Sequence, residues 1–180
     1  SALFNYLCHM ASELKNLSKY GPKGLPDASE KKIGIVVSDW NTEITAALAE
    51  GCLQTLREAK VTEENIFHIT VPGAFELTVG AKMLLKRYSL DAVVCLGCVI
   101  KGETSHNEYI NQAVAQGLTT LGIASGVPCI FGLLTPNDQE QAKDRAGGKH
   151  GNKGIEAAYT ALWMADTKAN LQNNSHKIGF

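Results

Sequence analysis

Apolar residues follow two alternating rhythms along this chain. Short, nearly continuous apolar runs, rich in β-branched residues, stand at KIGIVVS (32–38), NIFHITVP (65–72), DAVVCLGCVI (91–100) and VPCIFGLL (127–134). Between them lie longer stretches whose apolar residues recur every three or four positions. In 42–60 these are Ile44, Leu48, Cys52, Leu56 and Ala59. In 75–88 they are Leu77, Ala81, Leu84 and Tyr88, and in 106–124 Ile110, Val114, Gly117, Leu118 and Leu121. The first rhythm predicts strands; the second predicts one buried face of a helix. Two more helices are predicted at 137–146 and 154–171. Thr135-Pro136 starts the former, with proline at the first helical position, and Gly126 stops the helix before the fourth strand. The run at 91–100 has almost no polar side chain, so both its faces need cover. Four such strands alternating with helices predict an α/β fold: a three-layer α/β/α sandwich with a four-stranded parallel sheet.

Composition narrows the function classes. The chain has 180 residues, 44% hydrophobic and 19% charged, with a net charge of -1. That length suits one domain burying about two-thirds of its unfolded surface. The near-neutral balance gives no electrostatic case for nucleic acid. No run reaches the roughly 18 apolar residues of a membrane span. Charge this sparse points to surface that another subunit covers. The five cysteines, Cys8, Cys52, Cys95, Cys98 and Cys129, read as buried thiols in a reducing cytoplasm rather than a disulfide frame. Cys95 and Cys98 form a CxxC, but residues three apart on a strand point to opposite faces and do not readily share a metal. The pattern calls for no metal and no cofactor.

The domain itself spans 32–171. Residues 1–31 read as an N-terminal extension and arm, with 1–9 an upstream addition ahead of a natural start at Met10 and Gly and Pro keeping 20–30 extended. Residues 172–180 read as a loose C-terminal tail.

In an open parallel sheet, ligands bind beyond the carboxyl ends of the strands. The four exits read SDWN (38–41), PGAFE (72–76), KGETSH (101–106) and TPND (135–138). Trp40 fits a core position as well as an exposed one; its polar neighbours Asp39 and Asn41 favour an exposed indole that stacks on a flat ring. Phe75 is of a type usually found in a core. Glu76 is either a first-turn acid favouring the helix dipole or an acceptor for ligand hydroxyls. Gly102, Thr104 and Ser105 precede a helix, where free N–H groups and hydroxyls suit a phosphate, although Ser and Thr there are often simple caps. His106 stands at the helix start, and an imidazole can take and return protons near neutral pH. Arg145 and Lys153 are late cations that by themselves read as surface. The glycine-rich GGKHGNKG (147–154) lacks P-loop spacing and reads as a connector that lets two helices meet tightly.

Taken together, GIVVSDWN, VPGAFELT, LGCVIKGETSH, GVPCIFGLLT and DRAGGKHGNKG resemble the lumazine synthase family in order and spacing, over about residues 32–168. The resemblance implies a flavodoxin-like topology and a riboflavin-pathway transferase. Such an enzyme condenses 5-amino-6-(D-ribitylamino)uracil with 3,4-dihydroxy-2-butanone 4-phosphate and releases phosphate and water. It implies that Trp40 stacks on the pyrimidine, and that Asn41, Ala74, Phe75 and Glu76 line the ribityl side. Cys98, Val99 and Ile100 would border the ring. Glu103 and Thr104 would lie in the phosphate loop, and His106 would transfer protons. Phe131, Arg145 and Lys153 would come from a neighbouring subunit: Phe131 over the ring, Arg145 on the phosphate, Lys153 near the uracil. The family also implies a homopentamer with active sites at subunit interfaces, in many members a 60-subunit icosahedral shell, and riboflavin synthase as a partner. The short connector at 147–154 is like that of shell-forming members, whereas Pro22 and Pro26 would disturb pairing of the arm with a neighbour. Two departures stand out: Glu103 puts a carboxylate beside a phosphate, and Asn107 replaces an expected aromatic. The rival readings are a flavodoxin-like flavin carrier, which SDWNTE would serve, and a non-catalytic cage. A receiver domain fits less well, because strand three ends without an Asp.

Overall fold

A computed structural model of the chain describes residues 27–174. The expectations for residues 1–26, including Met10 and the proline arm, and for 175–180 lie outside the described residues. The elements are β1 (Ile33–Ser38), α1 (Thr42–Glu58), β2 (Ile66–Val71), α2 (Leu77–Arg87), β3 (Ala92–Cys98), α3 (His106–Ser125), β4 (Cys129–Leu134), α4 (Gln139–Asp144), β5 (Ala146–Gly148), β6 (Gly151–Asn152) and α5 (Lys153–Asn174). The larger sheet is parallel throughout, in the order β2-β1-β3-β4. This is a doubly wound, flavodoxin-like order, in which the chain works outward to one side of β1 and then crosses to the other.

Side-chain alternation builds the three layers. Ile33, Ile35 and Val37 of β1, and Ala92, Val94, Leu96 and Cys98 of β3, face one way. There they meet Ile44, Leu48, Cys52 and Leu56 of α1 and Ala157, Ala158, Ala161 and Leu162 of α5. Val36, Val93 and Cys95 face the other way, onto Leu77, Ala81 and Leu84 of α2 and Val114 and Leu118 of α3. Every residue of β1 and β3 is buried, as central strands of a parallel sheet must be. Cys95 and Cys98 fall in opposite layers, so the CxxC holds no shared site. Burial pushes the Cys52 thiol up to about 12 and those of Cys98 and Cys129 up to about 11, and it raises Cys95 as well. These thiols sit as core residues and remain free.

Several boundaries differ from the sequence reading. Pro136 does not start α4. Asp138 does: in extended backbone, its carboxylate accepts from the Gln141 N–H at 2.8 Å. The Pro136 carbonyl instead accepts from the Lys101 N–H at 3.0 Å, carrying the β3–β4 pairing beyond the strands. A helix of six residues depends on its cap. Asp138→Ala should cost about 1 kcal/mol, measured as a lower denaturant midpoint; an unchanged midpoint would mean that tertiary contacts alone hold α4. The supposed connector at 147–154 contains a small antiparallel hairpin, β5–β6, whose Gly147 and Gly151 have φ of 119° and 80°. Helix α5 starts at Lys153 and runs on to Asn174, past the predicted end at residue 171. Gly126 ends α3 as expected, with a left-handed φ of 65°.

Candidate active site

Backbone ties fix the strand exits before any side chain is considered. The Asp39 N–H donates to the Val71 carbonyl at 2.8 Å and the Trp40 N–H to that of Pro72 at 3.1 Å. On the other side, Val99 N–H reaches the Leu134 carbonyl at 2.9 Å. Asn41 then turns the chain into α1 with a left-handed φ of 63°, a conformation that asparagine tolerates better than most residues. Its side-chain amide donates to the Cys98 carbonyl at 2.9 Å. One residue thus makes the turn and ties the β1 exit to the β3 exit. Those two strands flank the point where the strand order reverses, the usual ligand crevice of such sheets.

A cleft of about 720 Å³ opens there, within the roughly 300–1,000 Å³ of small-molecule sites. Its lining joins Trp40 and Asn41 from the β1 exit and Ala74, Phe75 and Glu76 from a single 3₁₀ turn after β2. Cys98 ends β3, Val99, Ile100 and Thr104 follow it, and His106 opens α3. The indole of Trp40 is 73% exposed and the Phe75 ring 60%, so both are available to stack on a flat ligand rather than spent in the core. Glu76 and His106 are exposed as well. Helix α3 has no side-chain cap on its first turn; only a long 3.5 Å contact runs from the His106 N–H to the Thr104 hydroxyl. Its leading N–H groups can therefore serve an anion. Glu103 is exposed and stays out of the cleft lining, while its neighbours Gly102 and Thr104 form part of it.

Gly73, Asn107, Tyr109 and Ile110 also line the cleft. Tyr109 was missed, although it lies one helical turn beyond His106 and so on the same face; its ring is 73% exposed. Asn107 was noticed only as a departure.

Three predicted residues lie elsewhere. Phe131 is on the outer strand β4, 38% exposed. Arg145 and Lys153 line a second pocket of about 270 Å³ with Leu133, Leu134, Thr135, Pro136 and Gln141. The two pockets share no residue. Arg145 donates to the His150 carbonyl at 3.1 Å and pairs with Glu156 at 3.3 Å. Lys153 pairs with the same Glu156 at 3.0 Å. Glu156 itself was not singled out from the sequence, where it reads as an ordinary first-turn acid.

Known proteins of one family match most of this chain. The family model for 6,7-dimethyl-8-ribityllumazine synthase matches residues 30–169. A protein of that name from Parabacteroides distasonis is 51% identical over 160 residues, covering 89% of this chain and 100% of the relative. Another, from Cytophaga hutchinsonii, is 50% identical over 155 residues, 86% of this chain and 97% of the relative. A third, from Phocaeicola vulgatus, is 45% identical over 163 residues, 91% of this chain and 97% of the relative.

Proposed function

On the premise that the chain belongs to the 6,7-dimethyl-8-ribityllumazine synthase family, we propose that its two pockets are the halves of one active site, completed between subunits. The chain is an enzyme of riboflavin biosynthesis, a transferase, and the carrier and cage readings are not favoured. Its reaction joins 5-amino-6-(D-ribitylamino)uracil to 3,4-dihydroxy-2-butanone 4-phosphate. The amine attacks the ketone and water leaves to give an imine. Phosphate is eliminated, the second amine attacks the remaining carbonyl, and loss of a second water closes the ring to the lumazine.

What carries this reading is the gathering of ten predicted residues from three strand exits into one cleft. In it, Trp40 stacks on the pyrimidine, and Cys98, Val99 and Ile100 edge the ring. Asn41, Ala74, Phe75 and Glu76 take the ribityl chain, with the Glu76 carboxylate accepting from its hydroxyls. The N-terminal turn of α3, with Thr104, receives the phosphate, while the Glu103 carboxylate stays in solvent. His106 moves protons during imine formation and phosphate loss. Phe131, Arg145 and Lys153 of a neighbouring copy close the site over the ring, the phosphate and the uracil. The working unit is a homopentamer, with the 60-subunit shell its larger assembly. Riboflavin synthase is the proposed protein partner and the cytoplasm the proposed location. The free thiols support a reducing compartment. Among the described residues no helix is long and apolar enough to cross a membrane.

The direct test mixes purified protein with both substrates and follows lumazine formation against the spontaneous background. Turnover above background is expected; none from folded protein would overturn the reading. Arg145→Ala should raise KM for the butanone phosphate about 10- to 100-fold, the worth of a charge-assisted hydrogen bond. An unchanged KM would remove Arg145 from the phosphate.

A further inference from the structure

We propose that Glu156 is a positioning residue, whose single carboxylate holds Arg145 and Lys153 in place, so that Arg145 meets the phosphate while Lys153 stands at the uracil. This rests on the proposed assignment of those two cations to the substrate.

Glu156 lies on the first turn of α5, and its side chain is 10% exposed. Both carboxylate oxygens are engaged. Oε1 pairs with the Arg145 guanidinium at 3.3 Å, and Oε2 accepts from Lys153 Nζ at 3.0 Å and from Arg145 Nη2 at 3.4 Å. The cations remain about one-third exposed, at 36% and 31%, and both line the second pocket. Two positive charges on one carboxylate leave one charge unbalanced, directed to whatever enters that pocket.

A plainer account would make Glu156 a first-turn acid that complements the helix dipole. That account does not explain Lys153. A lysine at the first residue of a helix works against the same dipole, and Arg145 comes from a separate element before the β5–β6 hairpin. A local choice that opposes helix stability yet is held by a buried partner marks function more than folding. With Glu156 neutral, the two cations would repel and swing apart, since solvent accepts either one readily. The Arg145 bond to the His150 carbonyl would orient one arm of the guanidinium only.

The test compares wild type with Glu156→Gln and Glu156→Asp, using inorganic phosphate as the probe. Competitive inhibition by phosphate and the rise in Tm that phosphate produces both report binding, and the second needs no turnover. In Glu156→Gln, the phosphate Ki and KM for the butanone phosphate should rise together, roughly tenfold, with kcat changed by less than about threefold. Glu156→Asp keeps the charge on a shorter stem and should recover part of the loss. A lower Tm with unaltered phosphate affinity would reduce Glu156 to a helix-start acid and overturn the proposal. Tighter phosphate binding would overturn it too, because the carboxylate would then temper the site rather than order it. If Glu156→Gln does not fold, Glu156→Asp decides alone: a Ki raised severalfold supports the proposal and an unchanged Ki refutes it. Wild type that turns over but neither binds nor is protected by phosphate would instead fail the phosphate assignment beneath it.

Discussion

Gly154→Ala is expected to destabilise the chain by about 4 kcal/mol or more, among the largest effects of a single substitution. A Cβ at this position would lie 2.6 Å from the Leu48 carbonyl carbon and against its oxygen. The obstacle is backbone of α1, so no side chain can rotate away. Helices α1 and α5 meet here because Gly154 has nothing to interpose. Asn152 seals the approach: its side-chain amide donates to the Ala47 carbonyl at 2.8 Å, and its oxygen accepts from the Gly154 N–H at 2.8 Å. Denaturant unfolding would read the loss. Gly122→Ala is the control, since its Cβ would meet nothing nearer than 3.5 Å. A glycine-to-alanine change inside a helix otherwise gains about 0.5–1 kcal/mol. A Gly154→Ala protein as stable as wild type would mean that the two helices separate at little cost.

His106→Ala should lower kcat by roughly 10²-fold, and at most by about 10⁴-fold, the range for a positioned proton-transfer residue. It should not reduce turnover to the spontaneous rate. Holding two reactants together is worth as much as about 7–11 kcal/mol of the barrier, and that work belongs to the rest of the cleft. Complete loss of turnover, with fold and substrate binding intact, would contradict this division of labour. Co-assembly makes a sharper test. If the site is completed between subunits as proposed, each variant damages a different half of it, so mixed oligomers of His106→Ala and Arg145→Ala chains should contain some sites with both halves intact. Activity above either parent is expected; its absence would argue that each chain completes its own site.

Much of the fold was legible because its signals were local. Runs such as IGIVVS and AVVCLGC are buried on both faces, and nothing else in the chain competes with that pattern. The face of α1 was equally plain: Ile44, Leu48, Cys52 and Leu56 are all buried. The hairpin at 146–152 was not legible. Its strands are made of glycine, alanine and asparagine, which carry no apolar alternation, and its shape comes from glycine φ values that the sequence allows but does not demand. At α4 the sequence pointed to proline as the start, whereas Asp138 starts it through a side-chain hydrogen bond. In the cleft, residues just after strand ends were recoverable, because strand ends can be counted. Asn41 was expected at the site, but not its bond to Cys98, 57 positions away. Glu156 gave no signal of its own, since one of its partners lies 11 positions back, across a hairpin.

The ties at the strand exits have a thermodynamic consequence. Trp40 is joined to Pro72, Val99 to Leu134 and Lys101 to Pro136 by the same kind of bond that joins the strands below them. The walls of the cleft are therefore continuations of the sheet rather than loops laid over it. Their conformational freedom is lost once, when the chain folds, and not again each time a substrate arrives. A ligand entering such a cleft orders itself and a few exposed rings, but little backbone. If the cleft works chiefly by holding two molecules side by side, as proposed, that stiffness is itself a source of rate.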